Sequence, residues 1–123
     1  MNPTQREIFE DLGRELDGWV RVATDAVSGA NPDLTWAGEA GPAVKRLRQC
    51  LSSPELVNAY EVSLRKTLAG LLHSVMVSLD GGTQLADKVR VRLTTADGQE
   101  IGPGLNELLF EHLHETGRLP ATS

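Results

Sequence analysis

The chain has little of several things that would narrow its function at once. A single cysteine, Cys50, stands among 123 residues. No internal disulfide is therefore possible, and a reducing cytoplasmic setting is expected. Aromatic residues make up only 4% of the chain, so the core has to be built from Leu, Val and Ala. No apolar run approaches the ~20 residues of a membrane span. The first residues are acidic and amphipathic rather than signal-like, so neither a membrane nor an export role is expected. Basic charge is also scarce: 12 Lys and Arg face 17 Asp and Glu, a net charge of −5. Acids outnumber bases 8 to 6 in residues 1–50 and 9 to 6 in residues 51–123. With no basic tail, binding to nucleic acid through phosphates is not expected. Internal repeats, low-complexity segments and long linkers are lacking, so residues 1–123 read as one domain.

What is present is helical pattern. Residues 52–83 read as one long central helix. Ser53 is its N-cap, Pro54 takes the first helical position, and Glu55 lies beside the positive end of the dipole. Leu56, Val57, Tyr60, Leu64, Leu68, Leu71, Leu72, Val75, Met76 and Leu79 follow at helical steps. Asp80-Gly81-Gly82 supplies the stop. Such an element would span roughly 40 Å. That is more than a small domain easily covers, and it points to a homodimer. His73–Leu79 also alternates, so a strand is the competing reading there.

Residues 1–51 hold two further helices. Asn2, Pro3 and Gln5 make a capping box, and Ile8, Phe9, Leu12, Leu16, Trp19, Val20, Ala23 and Val27 form one face. Gly13 and Gly18 weaken this helix and point to close approach or a kink. A strand over Trp19–Thr24 is the minority alternative. Ser28-Gly29 ends it. Residues 30–41 form an irregular stretch in which Trp36 is the one large apolar side chain. Either it pins the loop to the core, or it is an exposed anchor for a partner. A short helix then runs from Pro42 to about Leu51, with Val44, Leu47 and Leu51 inward. Its Lys45, Arg46 and Arg48 form a solvated basic face or meet an acidic partner, and Cys50 is a small core residue.

In residues 84–123 a β-hairpin is expected, its apolar face packed on a helix or the hairpin paired with its counterpart in a second subunit. Val89, Val91 and Leu93 alternate with Arg90 and Arg92, Asp97-Gly98 turns, and Gln99-Glu100-Ile101 returns. After Gly102-Pro103-Gly104, a last helix covers about Leu105 to Thr116, closed by Gly117. Residues 120–123 are expected to fray.

Candidates for chemistry are few. Asp80-Gly81-Gly82-Thr83 lacks the lysine of a phosphate loop and reads as a helix stop, with Asp80 a carboxylate at the open end of the core. His112 and His114 are two apart, so on a helix they diverge by ~200° and do not share a metal ion. A polar site is conceivable if His73, Asp80 and one of Glu107, Glu111 or His114 converge. Arg118 either meets the exposed carbonyls of the last helix or pairs with a carboxylate such as Asp80. No metal, no cofactor and no catalytic residue is expected.

The run LLHSVMVSLDGGT, then DGQEIGP and LNELLFEHLHETGRL, spans about Leu71 to Leu119. It resembles a group of small bacterial proteins with no assigned activity. Small acidic proteins of this kind include immunity proteins, which neutralise a partner toxin by binding it. The resemblance implies a bacterial, non-catalytic binding protein. The expectation is thus a mainly α domain, a helical bundle around one long central helix with a small β-hairpin. Protein binding is the first functional reading. A small enzyme or ligand binder with its site at the Asp80 end is the second. The residues singled out are Trp36, His73, Asp80, Glu111, His114 and Arg118.

Overall fold

The computed structural model describes residues 1–120, and it is helical wherever apolar residues recur at three- and four-residue steps. The α-helices are α1 (Pro3–Ser28), α2 (Gly41–Cys50), α3 (Pro54–Leu79) and α4 (Leu105–Glu115). Two short 3₁₀ helices, Thr35–Ala40 and Gln84–Asp87, lie between them. This is a mainly α chain, which a helical bundle fits. Both segments with a competing strand reading, Trp19–Thr24 and His73–Leu79, are helical. The expected fraying falls, from residue 121 on, outside the described residues.

Local capping chemistry sets the helix ends. At the start of α1 the Asn2 side chain accepts from the Gln5 amide at 2.8 Å, and the Gln5 side chain accepts from the Asn2 amide at 2.9 Å. This is the reciprocal capping box. Ser53 caps α3 by accepting from the Leu56 amide. Gly81 and Gly117 end α3 and α4 in the left-handed region, at φ +84° and +75°. In each case the next amide reaches back five residues, from Gly82 to Val77 and from Arg118 to Leu113. That pairing satisfies carbonyls that a helix end otherwise leaves open.

The chain forms two compact units. The first comprises Met1–Glu15 and the chain from Thr67; the second is Leu16–Lys66. Helices α1 and α3 each give one half to either unit. The first unit holds the larger set of buried apolar side chains: Phe9, Ala69, Met76, Ile101, Leu105, Leu109, Leu113 and Leu119. In the second, Leu16, Val20, Ala26 and Val27 are buried. There Arg65 donates to Asp17 at 2.7 Å, and Arg48 reaches the Ala26 carbonyl at 2.9 Å, a cation at the C-terminal end of α1.

Four expectations need correction. The β-hairpin does not form as strands: among the described residues there is one antiparallel bridge, Thr94↔Glu100. The turn itself is present. Thr95 donates to the Gln99 carbonyl at 2.8 Å and Gly98 sits at φ +90°, a three-residue loop of the kind that joins hairpins. Beyond Ile101, which donates to the Leu93 carbonyl, the ladder stops for two reasons. The next donor on that side would be residue 103, a proline without an N–H. The Ile101 carbonyl is held at 2.7 Å by the Gln5 side chain. Second, the apolar positions of α3 are not buried as one face: Leu56, Leu71 and Val75 are exposed. Third, Trp19 and Leu47 are exposed instead of packed inward. Fourth, Cys50 is exposed and is no core residue.

Candidate functional site

A polar cluster in the first unit is organised by Glu10 on α1. Its position one residue after the buried Phe9 brings it to the rim of the core. One carboxylate oxygen accepts from Arg118 Nη2 at 2.6 Å. The other accepts from Arg118 Nη1 at 3.0 Å and lies 2.7 Å from His112 Nε2. The forked contact with the guanidinium, with the imidazole second, holds the Glu10 carboxyl down at about 2. The contact with a carboxylate puts the His112 ring proton on Nε2 and leaves Nδ1 buried without a hydrogen-bond partner. Gly13 makes room for this arrangement: a Cβ there would stand 2.7 Å from Arg118 Cζ. A charged pair between residues 108 apart in sequence thus ties the start of the chain to its end. His112 is only 3% exposed and the Glu10 side chain 36%, and the three side chains serve as a clamp.

Asp80 is engaged in a comparable way. Its two carboxylate oxygens accept from the amides of Leu105 and Asn106, each at 3.0 Å. The residue at the N-cap of α4 is Gly104, which has no side chain to offer. The carboxylate that ends α3 therefore caps the start of α4. Around it lies a cavity of about 310 Å³ lined by Leu79, Asp80, Arg90, Arg92, Glu100 and Pro103, among others.

The remaining residues singled out from the sequence are distributed elsewhere. His73 and His114 each neighbour the Phe110 ring, at centroid distances of 4.8 and 6.2 Å. Glu111 is exposed on α4. Arg118 meets Glu10 and not Asp80. Neither Glu111, His73 nor His114 lines the cavity at Asp80. Among the described residues no group of three His, Cys, Asp or Glu side chains is placed to hold a metal ion, and no helix is long and apolar enough to cross a membrane.

Trp36 belongs to the second unit, in the 3₁₀ helix Thr35–Ala40. It meets Trp19 of α1 edge to face, with centroids 6.3 Å apart. The pair remains 45% and 56% exposed, respectively. Val22, one turn from Trp19 on the same helix face, is exposed too.

Glu10, His112 and Trp19 were not singled out by sequence reasoning. For Glu10 no local signal exists, since its partners lie a hundred residues away. For Trp19 the helical period misled: it marks a stripe as apolar but does not say how wide a strip of it is covered. Compared with protein-family models, curated proteins and solved structures, the chain matches none.

Proposed function

We propose that this chain is a non-catalytic protein-interaction module of the immunity or regulatory type, and that the Trp19–Trp36 pair is its contact surface. The exposure of that pair carries the reading. The chain has five aromatic residues, two of them Trp, and it leaves both Trp side chains half in water. A large apolar ring left there forgoes the burial that a core position would provide, whereas at an interface Trp is the residue type most enriched at energetic hot spots. The other candidate chemistry supports the same side of the choice: Asp80 and Glu10 spend their oxygens on amides and a guanidinium.

Affinity capture from the native host tests this. The wild-type chain should retain a partner, and the double variant Trp19→Ala/Trp36→Ala should lose it. Equal capture by both chains, or none by either, overturns the proposal.

A homodimer belongs to the same reading, with Leu71 and Val75, one turn apart and exposed on α3, as the contact. Size-exclusion chromatography with light scattering should give twice the chain mass at micromolar concentration, and a clean monomer defeats it. The second functional reading, a small ligand binder, is favoured by one observation, the cavity beside Asp80.

A further inference from the structure

Residues 88–93, Lys-Val-Arg-Val-Arg-Leu, have the composition of a strand and no strand partner. Val89, Val91 and Leu93 are all exposed, Val89 at 55%, and so are Lys88, Arg90 and Arg92. Among the described residues no backbone amide from Arg90 to Thr94 donates a hydrogen bond. The one bridge fixes the sense of the segment. Leu93 turns its carbonyl toward Ile101, so the backbone groups of Thr94 and Arg92, by strand alternation, face the opposite edge. β-branched residues with open amides and no ladder form the template on which an extended segment adds as a further strand.

Charge selects the occupant. Arg90 and Arg92 are two residues apart and so share one face of an extended chain. A second copy of the same segment is a poor partner. The antiparallel register centred on Val91 sets Arg90 opposite Arg92, and like charges directly opposite are destabilising. Two nearby carboxylates are engaged, Asp80 on the α4 amides and Glu100 on Arg92 at 3.2 Å. Arg90 has no ion-pair partner among the described residues. We infer that Arg90–Thr94 is an edge on which a partner protein's extended segment, alternating carboxylates with apolar residues, adds as a strand. This site is separate from the Trp19–Trp36 pair, and either can fail while the other holds.

The test uses the full chain and a capped peptide of about eight residues, a strand's length, alternating Glu and Val. Its control is a peptide of the same composition with the glutamates in one block. The alternating peptide should bind, and its binding should slow hydrogen exchange at the amides of Arg90, Arg92 and Thr94. Arg90→Glu should weaken it by about tenfold or more, and Arg90→Gln by less. Lys45→Glu on α2 changes the net charge equally and should leave binding as it is. No binding, equal binding of the block peptide, or binding without protection of those amides overturns the inference. Protection that grows with protein concentration in the absence of peptide would identify a second copy as the occupant and overturn it as well.

Discussion

Glu10 shows how one carboxylate can hold two distant parts of a chain. Its carboxyl is lowered from 4.5 to about 2, by Arg118 first and His112 second. A folded-state value below the unfolded one means the group stabilises the fold above the unfolded pKa, and that this contribution is lost as pH falls toward the folded pKa. Between pH 4.5 and about 2 the melting temperature of the wild-type chain should therefore fall more steeply than that of Glu10→Gln. The variant should melt lower at neutral pH, and the two curves should converge in acid. Parallel curves would show that the clamp does not titrate. Gly13→Ala should move the profile toward that of the variant, because its Cβ displaces the guanidinium. Gly18→Ala, with nothing within 4 Å of the added atom, should leave the profile in place.

Among the elements, α4 depends most on another part of the chain. It is 11 residues long, short enough that it would be marginal alone in water, and its first amides are held by the end of α3. Asp80→Ala leaves the Leu105 and Asn106 amides without their acceptor. A loss of about 1–2 kcal/mol in urea unfolding is expected, the upper part of the range for helix caps. Asp80→Asn retains an acceptor oxygen but not the charge and should lose less. Two equally mild variants would mean that water replaces the carboxylate at no cost. The unzipped hairpin is decided at the same scale. Its turn is encoded by Asp97 and Gly98, while its length is cut by Pro103 and by the Gln5 side chain at Ile101. The result is a basic, β-patterned segment left open, and the strand-addition inference rests on that.

For the whole molecule the question is what covers the apolar side chains that the two units leave in water. Trp19, Val22 and Trp36 in one unit and Leu71, Val75 and Val89 in the other are all exposed. Scattered exposed apolar residues need no explanation, but two tryptophans in contact form a patch. The capture experiment tests for a partner on the tryptophan patch, and the measured mass tests for a second copy on Leu71 and Val75. An acidic surface of net charge −5 favours a basic partner at the encounter stage.

Much of this was legible in the sequence, and the legible part is local. Asn2 with Gln5, Ser53 before Pro54, and the glycines at 81 and 117 act over a few residues, through hydrogen bonds whose spacing the helix itself dictates. Helix type and boundaries followed from them to within two residues or so at most ends. The pairs Glu10–Arg118 and Asp80–Leu105, and the contact of Trp19 with Trp36, join residues whose separation carries no periodic signal. Which charges meet, which tryptophan stays in water and where a hairpin stops depend on how helices are brought together, and only the tertiary structure decided those. Backbone hydrogen bonding has a fixed short range along the chain, whereas side-chain pairing is set by distance in space.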